Sequence, residues 1–183
     1  MLRSLLLCCF LLLSVGCWAQ ETEDGTAPVD TASKARVMSA IELESEPWYY
    51  DLSEAMVNPE QVVKLSLQGQ KLKSFPLEVL MFPNLQVLNL SKNKIDTLPP
   101  EIGTLVYLQE LNLMGNKLKK LPPEIVNLQN MHTLLLAKNR LYMFPPQMRG
   151  LQNLRYLDLS LNDFMIYEIR WIEDVLPKCE VKY

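Results

Sequence analysis

The chain has 183 residues, enough for one domain of ordinary size with a short extension, and it is 49% hydrophobic and 21% charged. This composition excludes a wholly disordered chain, which would be poorer in hydrophobic residues. The formal net charge of −3 excludes any argument from overall charge for binding to nucleic acid or to an acidic membrane surface.

Residues 1–19 have the layout of an export signal. Arg3 is the only charged residue before Glu21, and the apolar run from Leu5 to Val15 is interrupted only by Ser14. The run is shorter than the roughly 20 apolar residues that span a bilayer, but it has the length of a signal-peptide core. A buried core helix is the alternative, yet no amphipathic or capped sequence surrounds the run. We therefore predict a signal peptide and a secreted or cell-envelope location.

The site of cleavage has two interpretations. Cleavage after Ala19 fits the preference of signal peptidases for small residues, and we favour it. The stretch from Leu13 to Cys17 also resembles a bacterial lipobox, in which the cysteine becomes the lipidated first residue. Contact with a membrane is expected only if Cys17 is lipidated.

The cysteines do not support a disulfide framework. Cys8, Cys9 and Cys17 lie in the export segment, so a chain cleaved after Ala19 keeps only Cys179. One thiol cannot form an internal disulfide, and the absence of disulfide-capped ends favours a bacterial source. We interpret Cys179 as a buried small hydrophobe rather than a reactive thiol.

Residues 20–46 combine many acidic residues with few large apolar ones. The acids are Glu21, Glu23, Asp24, Asp30, Glu42, Glu44 and Glu46, and the bases are Lys34 and Arg36. Such a segment cannot bury enough apolar surface to offset its ordering entropy. We predict a disordered acidic tether.

From residue 62 the chain repeats with a fixed period. Five segments begin at residues 62, 85, 108, 131 and 154, so that every start follows the one before at the same interval. In the second segment, Leu88 and Leu90 are two positions apart and point to one face of a short strand. Such strands are too short to be stable alone and must stack on their copies, which predicts a parallel sheet over residues 62–165.

In the second to fifth segments an asparagine follows the predicted strand. The first segment has Gln70 at the equivalent position. The carbonyl and amide groups of the asparagine side chain can satisfy backbone groups in two adjacent coils. The predicted structural ladder consists of Asn93, Asn116, Asn139 and Asn162. The second half of three segments carries a motif of the type Leu-Pro-Pro-Glu-Ile, at residues 98–102, 121–125 and 144–148, which predicts a short helical turn that opens at the second proline. The first segment departs from it, because Phe75-Pro76-Leu77 has one proline.

These motifs together resemble the leucine-rich repeat family, and the proline segments resemble its 23-residue class. The resemblance covers residues 62 to the C-terminus and suggests a small exported bacterial member. It implies an α/β solenoid, a short curved right-handed horseshoe with a parallel β-sheet on the concave face and short helical or 3-10 turns on the convex face. It also implies a protein partner that binds the concave face.

Both ends of such a solenoid need caps, because the terminal coils would otherwise expose the core. For residues 47–61 we predict a helical cap, opened by a capping box from Asp51 to Glu54. For residues 166–183 we predict a helix that ends before Pro177 and a final strand on the sheet edge. The apolar side of that helix consists of Ile166, Ile169, Ile172 and Leu176.

No set of residues has the spacing that catalysis or metal binding requires. His132 is the only histidine, and no cysteine lies near it in the sequence. Neither a matched triad nor a glycine-rich phosphate loop is present. We expect no enzyme activity, no metal and no cofactor.

The outward side chains of the strands are the candidate binding residues. Those predicted to contact a partner are Val87, Asn89, Glu110, Asn112, Met114, Thr133, Leu135, Tyr156 and Asp158. A second surface is a basic rim of Lys71, Lys73, Lys94, Lys117, Lys119, Lys120 and Arg140. Lysines at such positions usually increase solubility, and binding of an anionic ligand is the alternative. The interleaved aromatics of single-strand nucleic-acid binding are absent, so we expect no nucleic-acid partner.

Three functions fit this sequence. We favour a monomeric, non-enzymatic exported protein that mediates protein–protein interaction through the concave sheet face. The alternatives are a surface or adhesion scaffold without a specific ligand, and a cytoplasmic signalling adaptor similar to the Ras-pathway members of this repeat class. The adaptor would require an uncleaved N-terminus.

Overall fold

The computed structural model describes residues 36–183. The predicted signal peptide (residues 1–19), and with it Cys17 and Ala19, lies outside the described residues, as do residues 20–35 of the predicted tether. Among residues 36–183, no helix combines the length and apolar character needed to cross a membrane.

Seven parallel strands form one sheet in sequence order. They are β1 (Trp48–Tyr49), β2 (Lys64–Ser66), β3 (Val87–Asn89), β4 (Glu110–Asn112), β5 (Thr133–Leu135), β6 (Tyr156–Asp158) and β7 (Glu180–Lys182). From β2 to β6, paired residues occupy equivalent positions of successive repeats, as in the pairing of Leu88 with Leu111. The register of the sheet therefore follows directly from the repeat length. Strand β1 was not predicted, because so short a strand carries no alternation that sequence reasoning could detect.

The inward side chains of the strands build the core. Leu88 and Leu90 are fully buried, and the equivalent leucines of the other coils join them in one continuous cluster. Burial of such a side chain contributes about 2 kcal/mol, so each coil gains stability only when a neighbour covers it.

Short 3-10 helices close each coil on the side away from the sheet. They span Pro59–Gln61, Leu77–Met81, Pro100–Thr104, Pro123–Asn127 and Pro146–Gly150. In the third of these, Pro99 is extended and Pro100 is the first helical residue, as the double proline predicts. Neighbouring helices lie close together at Gly103, where an added Cβ would lie only 2.7 Å from the Glu124 carbonyl oxygen.

The asparagines after the strands bind two coils at once. Asn116 Oδ1 accepts from the Ile95 N–H at 3.0 Å, and Asn116 Nδ2 donates to the carbonyls of Leu90 and Leu113, each at 3.0 Å. Asn93, Asn139 and Asn162 make the same set of bonds in their own coils, at 2.8–3.1 Å. Each side chain therefore satisfies backbone groups that the turn would leave unpaired.

Each turn that follows one of the strands β2 to β6 contains a left-handed residue. These residues are Gly69, Lys92, Gly115, Lys138 and Leu161, with φ between 58° and 72°. They occupy equivalent positions of successive repeats, so the geometry of the repeat imposes this conformation whether or not the residue is glycine. Three coils therefore place a residue with a Cβ in a region that is costly for L-amino acids.

The caps at both ends contain the helices that the sequence predicts. Asp51 is the N-cap of helix α2 (Leu52–Ala55), and its carboxylate accepts from the Ser53 and Glu54 N–H groups at 2.7 and 3.3 Å. At the other end, the third α-helix spans Ile166–Val175, and we label it α3. Strand β7 then pairs with β6 at the sheet edge.

Two details of the C-terminal cap differ from, or add to, the prediction. Ile166, predicted on the apolar side of α3, is 64% exposed. Ile172 and Leu176 are buried in the core as predicted, and Trp171, which was not predicted, also packs against it. Cys179 is partly buried against the core, and burial raises the pKa of its thiol to about 11. The thiol therefore has the low reactivity expected of a packed cysteine.

The prediction of a disordered tether is wrong for residues 36–46, which we call the strap. Helix α1 (Ala40–Ser45) lies within it and begins with a capping box, in which Ser39 and Glu42 bond to each other's backbone N–H. Met38 and Leu43 are buried against Val63 and Val87. The segment is acidic overall, but it contains two apolar side chains that pack on the first coils. Composition alone does not reveal this contact, because the surface that receives them forms only in the folded solenoid.

Candidate protein-binding face

The side of the sheet opposite the core is the candidate binding face, which we call the sheet face. The first column of outward side chains consists of Trp48, Lys64, Val87, Glu110, Thr133 and Tyr156. The second consists of Ser66, Asn89, Asn112, Leu135 and Asp158. Trp48 enters the first column because β1 pairs with β2, so the missed strand supplies a residue that sequence reasoning did not include.

The strap covers one margin of the sheet face, along the residues that precede β3 and β4. Gln86 Oε1 accepts from the Met38 N–H at 2.7 Å, and Gln86 Nε2 donates to the Arg36 carbonyl at 2.9 Å. Gln109 Nε2 donates to the Met38 carbonyl at 2.8 Å. Both glutamine side chains are buried, and they hold the strap by its backbone.

Lys64 ties the other part of the strap to the sheet. Its ammonium donates to the Leu43 carbonyl at 2.8 Å and lies 5.1 Å from the centre of the Trp48 ring. Lys64 is buried, so this positive charge is directed to the strap and the ring rather than to a ligand. Strap, lysine and tryptophan thus form one packed boundary of the sheet face.

Six of the nine predicted partner-binding residues line a single small cleft of about 90 Å³ beside this boundary. They are Val87, Asn89, Glu110, Asn112, Thr133 and Leu135, and Trp48 completes the wall. The cleft offers an exposed carboxylate at Glu110, a hydroxyl at Thr133 and apolar surface at Leu135 and Trp48. This mixture of an aromatic anchor with a few polar groups is typical of protein recognition sites.

The structure changes the role of several predicted residues. Val87 is only 7% exposed, because the strap packs on it. Asp158 is buried, accepts from the Ser160 N–H and hydroxyl, and pairs with Lys182 at 3.6 Å. Met114 and Tyr156 are half-buried and lie outside the set that lines the small cleft.

Polar residues of the second column also stabilise the ends of the strands. Asn89 Oδ1 accepts from the Ser91 N–H at 3.0 Å, and Asn112 Oδ1 accepts from the Met114 N–H at 3.1 Å. Asp158 repeats this contact at the end of β6. These side chains are held in fixed orientations before any partner arrives.

A wider cleft of about 600 Å³ lies between the strap and the sheet. Met38, Leu43, Gln109, Glu110 and His132 are among its lining residues. Within residues 36–183, no group of three or more histidine, cysteine, aspartate or glutamate side chains is placed to hold a metal ion.

Comparison with known proteins agrees with this architecture. Residues 41–169 match the model of the leucine-rich repeat region. The chain belongs to the leucine-rich repeat family. Its leucine-rich repeat fold, a parallel open sheet with short helices and 3-10 turns, is also found in solved structures of this family. Proteins of this family are typically non-enzymatic scaffolds for protein–protein interaction.

Three solved structures show the range of the likeness. A leucine-rich repeat protein of Leptospira interrogans is 36% identical, with a TM-score of 0.68 over 75% of this chain and 35% of its own. The BIR3–SERK2 complex from Arabidopsis thaliana contains a chain that is 36% identical, with a TM-score of 0.51 over 56% of this chain and 57% of its own.

The leucine-rich repeat ectodomain of the Arabidopsis thaliana receptor kinase SOBIR1 is 25% identical, with a TM-score of 0.50 over 56% of this chain and 58% of its own. The chain therefore spans about a third of the Leptospira protein and less than two thirds of either plant chain. A search of curated proteins found no match.

Proposed function

We propose that this protein is an exported, non-enzymatic binding module that captures a protein partner on the sheet face, next to the strap. The observation that carries the proposal is the convergence of Trp48, Glu110, Thr133 and Leu135 on one cleft. The family supports it in general terms, since one of the similar solved structures is a complex of two proteins and another is the ectodomain of a receptor kinase.

The strap determines which part of the sheet face a partner reaches. It buries Val87 and occupies the hydrogen-bonding side chains of Gln86 and Gln109. The accessible surface thus begins at Trp48 and Glu110 and continues over Thr133 and Leu135 towards Tyr156. We infer that the partner contacts the apolar side chains of Trp48, Leu135 and Tyr156 and the polar groups between them.

Export is the second part of the proposal and rests on residues 1–19. A charged start, an apolar core and small residues around Ala19 are the features of a signal peptide. Mass spectrometry of the mature protein from its own cell tests this part. A chain that begins after Ala19, or a diacylated Cys17, would support export, whereas a chain that retains Met1 would contradict it and favour the adaptor.

Site-specific crosslinking tests the binding face. A photoreactive amino acid at Thr133 is expected to crosslink a protein partner in the native compartment, and the same group at the exposed Gln147 of the last 3-10 helix serves as control. A double variant with Leu135→Glu and Tyr156→Glu should abolish the crosslink, and Leu77→Glu with Val106→Glu on the other side should not. Crosslinking from Gln147 alone would place the interface elsewhere, and none from either position would favour a scaffold without a specific ligand.

A further inference from the structure

One edge of the solenoid, formed by the turns that follow the strands, has a surface unlike the sheet face. Backbone hydrogen bonds join these turns between neighbouring coils: the N–H of Lys117 donates to Ile95, that of Arg140 to Leu118 and that of Asp163 to Leu141, all at 2.8–2.9 Å. Side chains at equivalent positions of successive repeats therefore lie next to each other along this edge. We call it the turn edge; the strap lies at the other ends of the strands, before β3 and β4.

The first part of the turn edge is basic. Its exposed bases are Lys71, Lys73, Lys92, Lys94, Lys117, Lys119, Lys120, Lys138 and Arg140. Asp96 and Asp163 are the acids at the same positions of the repeat, so nine bases stand against two acids. This edge is strongly positive although the whole chain has a net charge of −3.

In the last two coils, large apolar side chains stand at the two repeat positions of Lys119 and Lys120. Tyr142 and Met143 occupy the places that Lys119 and Lys120 have one coil earlier, and Met165 and Ile166 occupy them one coil later. The exposed apolar group comprises Tyr142, Met143, Leu161, Met165, Ile166 and Tyr167, which are 38–71% exposed. Glu168 is the nearest acid along α3 and is half-buried.

The basic and apolar parts form one surface. The ammonium of Lys120 lies 5.5 Å from the centre of the Tyr142 ring, across the boundary between them. Below the apolar group, Phe144 and Phe164 stack with ring centres 4.5 Å apart, which gives it a rigid base. The apolar side chains therefore project from a fixed platform with bases beside them.

We propose that the turn edge binds the surface of an anionic lipid bilayer. The exposed tyrosine, methionine, leucine and isoleucine side chains enter the boundary between head groups and acyl chains, and the lysines contact the phosphates. An acidic protein could pair with the lysines, but it would also need a pocket shaped to bury the protruding apolar side chains. A fluid bilayer buries them without such a pocket. The edge carries both features, so the charge and the apolar surface together favour lipid.

Vesicle cosedimentation tests this proposal. The mature protein is mixed with phosphatidylcholine vesicles or with mixed phosphatidylcholine–phosphatidylglycerol vesicles, at low and high salt. Binding is expected to the anionic vesicles only and to weaken as salt rises. Every variant carries the same mature N-terminus, so any contribution of that end is the same in all samples.

Variants separate the two parts of the surface. Met165→Ser with Ile166→Ser, and Lys119→Glu with Lys120→Glu, should each weaken binding to anionic vesicles by at least about tenfold. Matched controls are Leu77→Ser with Met81→Ser, an exposed apolar pair in a 3-10 helix, and Arg149→Glu with Lys178→Glu, exposed bases away from the turn edge. Circular dichroism and melting temperature establish that each variant is folded.

Three outcomes would overturn the proposal. They are the absence of binding to anionic vesicles, equal binding to neutral and anionic vesicles, and equal losses in the controls and the edge variants. Retention on immobilised polyglutamate that depends on the lysines but not on Met165 and Ile166, without vesicle binding, would identify an acidic protein as the ligand instead.

Discussion

Gln109 Nε2 donates to Gln86 Oε1 at 2.7 Å, and these two side chains also hold the backbone of Met38. Their positions in the repeat are equivalent, each immediately before a strand, so the stacking of coils brings them together. Both lie far from Met38 along the chain, so the contact is made only in the folded solenoid. The pair therefore links the N-terminal segment to two successive coils.

Loss of this link should release the strap without unfolding the repeats. Gln109→Ala removes a buried hydrogen-bonding group and is expected to weaken strap docking by about 1–3 kcal/mol, because the Met38 carbonyl loses its partner. Hydrogen exchange in residues 36–46 should accelerate while exchange in β4 and β5 stays slow. Gln147→Ala, at an exposed glutamine, is the control; equal exchange in both variants would contradict the anchoring role.

The asparagine ladder predicts a larger effect on global stability. Asn116→Ala leaves the buried Ile95 N–H without its side-chain partner. It also removes one of the two asparagine hydrogen bonds that the carbonyls of Leu90 and Leu113 each accept, so we expect a loss of about 2–4 kcal/mol in the free energy of unfolding. Urea titration followed by circular dichroism measures it. The exposed Asn127→Ala should change stability by no more than about 0.5 kcal/mol. An unchanged midpoint for Asn116→Ala would show that water replaces the side chain.

The left-handed turns predict a stabilising substitution. Lys138 has φ 58°, a conformation that glycine adopts without steric cost, so Lys138→Gly should raise the free energy of unfolding by about 0.5–1 kcal/mol. Lys117→Gly, at an exposed position without a positive φ, should lower it by about the same amount. Differential scanning calorimetry distinguishes the two, and melting shifts of the same sign would argue against backbone strain at Lys138.

Strap docking should depend on pH through Glu42. The Arg36 guanidinium, followed by the Ser39 backbone N–H and hydroxyl, lowers the pKa of Glu42 from 4.5 to about 2. A carboxylate whose pKa is lowered on folding stabilises the folded form above its unfolded pKa, and this contribution is lost as the pH falls from about 4.5 to 2. NMR titration should show the low pKa, and Glu42→Gln should remove this step from the pH profile of strap exchange. A Glu42 pKa near 4.5 would contradict the pairing.

Cys179 should react slowly with alkylating agents. Burial is the main cause that raises the pKa of its thiol from 9.0 to about 11, which lowers the thiolate fraction at pH 8 by about a hundredfold. Site-resolved mass spectrometry of iodoacetamide labelling should show this slow rate in the native protein and a fast rate in denaturant. Fast native labelling would mean that the C-terminal cap opens readily.

The sequence by itself determined the repeated part of this protein. A constant repeat length, with paired leucines in each of the five repeats, leaves one way to bury every coil, so the repeat sheet, its register and the asparagine ladder follow from the sequence. The N-terminal cap helix could be predicted from local sequence, because Asp51 accepts hydrogen bonds from N–H groups of its own helix turn. Six partner-binding candidates also proved to share one cleft, because register sets which side chains face outward.

Only the tertiary structure decided where residues 36–46 lie. Their acidic composition predicts disorder, and nothing in that segment reveals that Val63, Val87, Gln86 and Gln109 offer it a complementary surface. Trp48 joined the sheet face and Ile166 remained exposed for a similar reason. Such outcomes depend on contacts between parts of the chain that share no periodic pattern, and the free energy of those contacts exists only once the solenoid has brought its coils together.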